Sequence, residues 1–185
     1  MSELRSAFDQ NEGKRLLLTV AVSAGEHYIN PGYDIAAMSP LLDFINVMTY
    51  DFHGWWPGNH FTGENSPLYA MPEETDPNHP GHNYNTDFAI RYWIRKGADP
   101  SKILLGMAAY GHGFMLADPK ENGYYAKATG PIEGGPYTRE QGMWGYNEYC
   151  EKMQTESNQW EFHRVHLQFI PLPPALLFYH CHFLG

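Results

Sequence analysis

The sequence predicts an α/β protein with a parallel sheet, on the strength of two observations. Three short runs are nearly continuous in apolar residues, as is typical of parallel strands covered on both faces. A segment with helical periodicity separates the second run from the third, so strands and helices alternate. The runs predicted as strands are Leu16 to Val22, Leu42 to Met48 and Ile103 to Ala109.

The intervening helix is predicted from Asn85 to Gly97. Asn85 or Thr86 is a suitable N-cap, and Gly97 is a suitable terminator. The residues predicted on its buried side are Phe88, Ile90, Trp93 and Ile94. Further helices are expected before Gly13 and over residues 35–41.

Charge and hydropathy argue against two classes of partner. The 185 residues include 12 Lys and Arg against 21 Asp and Glu, a formal net charge of -9. Such a chain repels phosphate backbones and anionic lipid, so we expect neither nucleic acid nor membrane as a partner. No run approaches the roughly 20 apolar residues of a membrane span. The start, Met1 to Arg5, lacks the apolar core of a signal peptide, so no export signal is expected in this chain.

The end of the second apolar run carries the sharpest chemical signal. In the string DFINVMTYDFHG, alternation places Met48 and Tyr50 on one face and Asp51 at the strand end. A phenol and a carboxylate there could hydrogen-bond a polar substrate. Alternatively, Tyr50 is a core aromatic and Asp51 caps a turn. The long connection that follows, Phe52 to Tyr84, is of a length typical of functional or disordered loops.

The histidines raise the question of a metal site. They lie in loops or in an unpatterned tail, whereas zinc sites need three or four firmly held ligands. We therefore predict hydrogen-bonded or solvated imidazoles, with no metal and no cofactor. The histidines concerned are His53, His60, His79, His82, His163, His166, His180 and His182.

Five strings, in order along the chain, carry a resemblance to a known family. They are LLLTVAVSAG, DFINVMTYDFHG, NSPLY, ILLGMAAYGHGF and GPYTREQGMWGYNEYC. Together they resemble glycoside hydrolase family 18, the chitinases and chitinase-like lectins, over roughly residues 4–150.

The resemblance implies a partial TIM (β/α)₈ barrel, about strands five to seven, with part of an inserted α+β subdomain. A complete barrel needs about 250 residues. The implied division is a partial barrel over 1–112, a partial insertion over 113–162 and a divergent tail over 163–185.

The resemblance also implies the roles of five residues. Family chitinases work by a substrate-assisted retaining route, in which the substrate's own N-acetyl oxygen attacks the anomeric carbon. Residues matching Tyr50 and Asp51 bind and polarise that acetamido group. Met48 matches a position lining the same sugar subsite, Trp56 an aromatic that stacks on a neighbouring sugar, and Tyr110 one that lines the groove.

The sequence also departs from the family pattern. The family's general acid lies in an Asp-x-x-Asp-x-Asp-x-Glu motif, and none of the 185 residues form it. Because a placed acid commonly supplies about 10² to 10⁴ in rate, we expect no turnover from this chain alone. His112 stands where the family usually has Arg.

The cysteines leave two interpretations open. Cys150 matches a family cysteine that is normally disulfide-bonded. Cys181 could replace the family's partner, or Cys150 could be a buried free thiol. The resemblance implies an extracellular location.

Three functional hypotheses follow. In the first, the chain is a fragment of a chitinase that hydrolyses β-1,4-linked N-acetylglucosamine polymers in its full-length parent. In the second it is a non-catalytic, chitinase-like lectin that binds chitin oligosaccharides. In the third it has no stable function, because a few barrel strands leave open edges. In the first two, the partner is chitin or a chitin oligosaccharide.

Overall fold

The computed structural model describes residues 1–155, which form two compact units. The first comprises Met1–Phe52 with Ser66–Met107, and the second comprises His53–Asn65 with the chain from Ala108 onwards. The predicted tail over 163–185, with its four histidines and Cys181, lies outside the described residues.

The first unit contains three strands and four helices among its described residues. The strands are β1 (Thr19–Ser23), β2 (Phe44–Met48) and β3 (Ile103–Leu105), and the helices are α1 (Ser2–Asp9), α2 (Glu26–Gly32), α3 (Ile35–Met38) and α4 (Thr86–Arg95). Short 3₁₀ turns occupy Ser39–Leu41, Pro72–Thr75 and Pro100–Lys102.

The three strands form one parallel sheet in the order β1-β2-β3, which confirms the predicted fold class. Thr19 pairs with Phe44, and Ile45 pairs with Ile103. All three strands are shorter than their apolar runs. β1 starts at Thr19 rather than Leu16, β2 starts at Phe44 rather than Leu42, and β3 ends at Leu105 rather than Ala109. Apolar composition marks a segment that can be buried, whereas a strand ends where its ladder of hydrogen bonds ends.

The prediction that the runs are covered on both faces is wrong for the described residues. Ile45 and Val47 of β2 are fully buried, whereas Phe44 is exposed. Leu104 and Leu105 of β3 are each 48% exposed. A continuous apolar run shows that a segment tolerates burial but does not show whether a second layer covers it.

Helix α4 supplies the centre of the core. The Asn85 side chain accepts a 2.8 Å hydrogen bond from the N–H of Phe88, which confirms it as the N-cap, and Gly97 ends the helix with φ +105°. Trp93 is fully buried, and its Nε1 donates to the carbonyl of Ser23 at 2.9 Å. The predicted burial of Ile94 is wrong: it is 39% exposed, because the buried stripe of α4 passes through Ala89, Tyr92 and Trp93.

The sequence patterns did not predict α2. This helix begins after Gly25, contains Pro31, and buries only Ile29. A helix of seven residues with one buried side chain has no apolar periodicity by which to detect it.

The paired strands of the second unit are antiparallel. Its elements are β4 (Tyr110–His112), β5 (Phe114–Leu116), β6 (Ala128–Pro131), β7 (Met143–Gly145) and α5 (Tyr146–Thr155). β4 pairs with β7, and β5 pairs with β6. The segment His53–Asn65 joins this unit through backbone hydrogen bonds, including Thr62 N–H to the Ala126 carbonyl at 3.0 Å. Among residues 1–155, no helix has the length and hydropathy needed to cross a bilayer.

Candidate functional site

Tyr50 and Asp51 follow directly from the carboxyl end of β2, as the sequence predicted. Tyr50 is half-buried and Asp51 is exposed. Asp51 has φ +61°, in the left-handed region that Asp tolerates better than most residues. Met48, the last residue of β2, pairs with Ser23 of β1. The backbone at Asp51 therefore has an uncommon conformation, at a strand end that carries the polar side chains of Tyr50 and Asp51.

Thr49 anchors that strand end. It is fully buried, and its Oγ1 donates to the Gly106 carbonyl at 2.6 Å. Its own carbonyl accepts a 2.6 Å hydrogen bond from Ser66 Oγ. These bonds tie the residue before Tyr50 to the end of β3 and to the NSPLY string, which fixes the strand end from two directions.

Gly106 lies against the Tyr50 ring. Its N–H donates to the Val47 carbonyl at 2.9 Å. A Cβ at position 106 would lie 2.7 Å from the Val47 carbonyl oxygen and 2.9 Å from Tyr50 Cε1. Both separations are too short for any side chain, so only glycine permits this approach.

The second unit presents the other two predicted aromatic residues. Trp56 is 37% exposed, and Tyr110, the first residue of β4, is half-buried. The Tyr110 carbonyl accepts a 3.0 Å hydrogen bond from Asn65 Nδ2. His112 makes edge-to-face contacts with both aromatic residues, at centroid distances of 5.3 Å to Trp56 and 5.8 Å to Tyr110.

Several described histidines are hydrogen-bonded, as predicted. His53 is buried, with Nδ1 2.9 Å from the Glu64 carbonyl, and His82 Nδ1 lies 2.7 Å from the Glu74 carbonyl. Since a carbonyl only accepts, Nδ1 of each ring donates the hydrogen bond. Within residues 1–155, no three or more His, Cys, Asp or Glu side chains are grouped so as to hold a metal ion.

One buried carboxylate of the second unit, that of Glu148, has a strongly lowered pKa. Desolvation by burial acts to raise the pKa of Glu148, but donation from the backbone N–H groups of Thr138, Gly145 and Tyr137 and from the Thr138 hydroxyl outweighs it. These bonds lower the pKa of Glu148 to about 2. The carboxylate orders the start of α5.

Sequence reasoning missed the supporting residues. Thr49 stands in phase with Ile45 and Val47, so its position on the buried face could have been found from strand alternation. Ser66 and Gly106 lie in two of the strings that carry the family resemblance, but they contact the strand end across long sequence separations, and no local pattern predicted those contacts.

Known proteins of similar sequence and structure identify the family of this chain. The solved structures that match include chitinases and a pseudo-chitinase, so the fold class is that of the (β/α)₈-barrel glycoside hydrolases. The chain belongs to glycosyl hydrolases family 18, whose family model matches residues 1–172. This confirms the resemblance found in the sequence.

Among the similar proteins, chitotriosidase-1 of Mus musculus is 40% identical over 176 residues, 92% of this chain and 35% of its own length. The Group IV chitinase of Ostrinia furnacalis is 41% identical with a TM-score of 0.76, covering 84% of this chain and 40% of that one. Human YKL-39, described as a pseudo-chitinase with retained chitooligosaccharide binding properties, is 38% identical with a TM-score of 0.77, covering 83% and 42%. The chain thus spans well under half the length of each.

Proposed function

We propose that this chain carries the acetamido-binding part of a chitin hydrolase, whose full-length parent cleaves β-1,4-linked N-acetylglucosamine polymers. The observation that carries the proposal is the end of β2, where Thr49 fixes the backbone beside Tyr50 and Asp51. In this proposal β1, β2 and β3 correspond to about the fifth to seventh strands of the barrel. An extracellular location remains a prediction.

The proposed chemistry is a substrate-assisted retaining hydrolysis. As the substrate's acetamido oxygen bonds to the anomeric carbon, the bond from that carbon to the glycosidic oxygen breaks, and positive charge develops on the acetamido group. An ionised Asp51 accepts a hydrogen bond from the acetamido N–H, and the Tyr50 hydroxyl donates to its oxygen. Both interactions orient the nucleophile. The interaction with the Asp51 carboxylate becomes more favourable as positive charge develops on the acetamido group.

The first unit also contributes Met48, which we assign to the wall of the same sugar subsite. In the second unit, the exposed indole of Trp56 and the ring of Tyr110 have the flat, partly accessible surfaces suited to stacking on sugar rings.

Hydrolysis further requires an acid that protonates the leaving oxygen. No Asp-x-x-Asp-x-Asp-x-Glu pattern occurs in the 185 residues. We therefore propose that the 185-residue chain binds chitin oligosaccharides without cleaving them, and that cleavage belongs to the longer parent.

The second candidate is a sugar-binding protein without catalysis. It is favoured by the match to human YKL-39, which is described as a pseudo-chitinase that retains chitooligosaccharide binding. Both candidate functions require Tyr50 and Asp51 to bind the sugar. They differ in whether the full-length parent contains a general acid.

Calorimetric titration of the purified chain with the tetrasaccharide of β-1,4-linked N-acetylglucosamine, hereafter the chitin tetrasaccharide, tests binding. Micromolar affinity is expected, together with much weaker binding of cellotetraose, which lacks acetamido groups. Asp51→Asn removes the charge but keeps a residue that tolerates positive φ. Tyr50→Phe removes the hydroxyl but keeps the ring over Gly106.

Each variant is expected to bind the chitin tetrasaccharide at least about tenfold more weakly, a loss of about 1.4 kcal/mol. Melting temperatures close to that of the wild type would show that the fold is intact. Equal affinity for cellotetraose, or unchanged affinity in both variants, would remove the assignment of Tyr50 and Asp51.

A further inference from the structure

The orientation of Trp56 is fixed by an uncommon set of neighbours within the second unit. Its backbone opens a tight turn, in which the Asn59 N–H donates to the Trp56 carbonyl at 3.0 Å and Gly58 has φ +92°. Pro57 followed by a glycine of positive φ is the pattern of a type II turn. Asn59 Nδ2 also donates to the Gly54 carbonyl at 2.9 Å, which closes the loop on itself.

The indole itself is held on two sides. Its six-membered ring packs on Gly54 so closely that a Cβ there would overlap the ring atoms. The imidazole of His112 meets the indole edge-to-face, with an interplanar angle of 87° and a centroid distance of 5.3 Å. The same imidazole meets Tyr110 at 90° and 5.8 Å.

His112 is therefore a common neighbour of the two aromatic residues that we assign to sugar binding in this unit. Its own position is firm, because β4 pairs with β7 and His112 lies opposite Met143. Edge-to-face aromatic pairs stabilise a particular ring geometry beyond the contribution of the area that they bury, and an aliphatic side chain offers no such pair.

We propose that His112 is a positioning residue that holds the Trp56 indole in the orientation in which it stacks on a sugar ring. This inference rests on the proposed function for its effect on affinity, but its effect on the indole does not depend on sugar. An aromatic ring at position 112 is the required feature, so phenylalanine substitutes for histidine and leucine does not.

A double-mutant cycle on binding of the chitin tetrasaccharide tests the proposal. His112→Leu is expected to weaken binding about three- to tenfold, the range that an edge-to-face pair contributes. His112→Phe keeps an aromatic ring at this position. Its affinity for the chitin tetrasaccharide is therefore expected to stay within about twofold of the wild-type affinity, the lower limit of what an edge-to-face pair contributes. In a Trp56→Leu background, His112→Leu is expected to weaken binding less than it does in the wild type, because only the contact with Tyr110 remains.

His60→Leu is the matched control. His60 stacks on Trp55 at 4.5 Å in the same unit, but neither residue belongs to the proposed site. This change is expected to leave the affinity for the chitin tetrasaccharide unchanged.

A second readout requires no ligand. The chain has 5 Trp, so 5-fluorotryptophan labelling gives a small set of ¹⁹F resonances, and the one lost in Trp56→Leu identifies Trp56. His112→Leu is expected to change the line width of that resonance through altered ring motion, whereas His112→Phe and His60→Leu leave the line width unchanged.

The outcomes separate the two proposals. If the wild type fails to bind the chitin tetrasaccharide, the proposed function fails, and the ¹⁹F line widths still decide whether His112 orders the indole. Equal line widths in the wild type and His112→Leu would overturn the inference. So would a loss of affinity in His112→Leu that persists undiminished in the Trp56→Leu background.

Discussion

At the scale of single residues, the proposed chemistry depends on Tyr50 and Asp51, and equally on the small residues that contact this strand end. Asp51 occupies a left-handed conformation, and the Tyr50 ring approaches Gly106 more closely than any Cβ would allow. Thr49, which follows β2 directly, connects the strand end to Gly106 and Ser66. The position of the phenol is thus set by residues with no role in chemistry.

Gly106→Ala should displace the Tyr50 ring. The new Cβ would lie within 3 Å of both the Val47 carbonyl and the ring, so β2 and β3 must separate or the ring must move. Overpacking of this kind costs about 1 to 3 kcal/mol. We expect a lower melting temperature and about a tenfold loss of affinity for the chitin tetrasaccharide, measured by calorimetry.

Gly130→Ala provides the comparison for that experiment. A Cβ at Gly130 meets no atom within 4 Å, so this variant should keep the stability and affinity of the wild type. Full retention of affinity in Gly106→Ala would show that the Tyr50 position is not critical for binding.

At the scale of elements, the start of α5 is organised around one carboxylate. Glu148 accepts hydrogen bonds from Tyr137, Thr138 and Gly145, and it lies over Gly135, where a Cβ would overlap the carboxyl group. The charge near the N-terminus of α5 also interacts favourably with the helix dipole. One side chain therefore connects β7, α5 and the preceding turn.

The stability of the second unit should depend on pH through Glu148. Its pKa is about 2 in the folded chain and about 4.5 without these contacts. A depressed folded pKa contributes stability above about pH 4.5, and this contribution is lost as the pH falls towards 2. Melting followed by near-ultraviolet circular dichroism should show that Glu148→Gln lowers the melting temperature at pH 7 and that the difference from the wild type shrinks below pH 4.5.

Glu140→Gln, which changes an exposed carboxylate of the same unit, should behave like the wild type at every pH. A constant difference between Glu148→Gln and the wild type from pH 7 to pH 2 would contradict this role of the ionised carboxylate.

At the scale of the whole molecule, the described sheet leaves apolar side chains exposed. Phe44, Leu104, Leu105 and Met107 are all exposed in the first unit, and β1 and β3 are the outer strands of its three-stranded sheet. Exposed apolar side chains and strand edges at the outer strands favour association. We therefore expect these exposed apolar side chains to bind apolar dyes and to promote association with other chains.

Binding of the dye ANS and sedimentation velocity should reveal this surface. We expect fluorescence enhancement with the wild-type chain and concentration-dependent association, both reduced in Leu104→Lys. Leu4→Lys, which changes an exposed leucine on α1 outside the sheet, should reduce neither. A monomeric wild-type chain without dye binding would show that this surface is covered.

Much of the fold and part of the candidate site could be predicted from local sequence. Apolar runs located β1, β2 and β3, and the cap and terminator of α4 were found at Asn85 and Gly97. The short helix α2 and the exposure of Ile94 were not predicted, because they depend on which neighbours pack on a segment. The roles of Met48, Tyr50, Asp51, Trp56 and Tyr110 stay predictions until the binding experiments are made.

By itself, the sequence determined the family and the strand-helix alternation, since motifs and periodicity are properties of contiguous residues. The tertiary structure alone decided which residues support the proposed site. Thr49 bonds to Gly106 across 57 positions, and His112 meets Trp56 across a similar span. Such contacts arise when strands and loops pack together, and no local pattern in the chain specifies which distant residue each side chain meets.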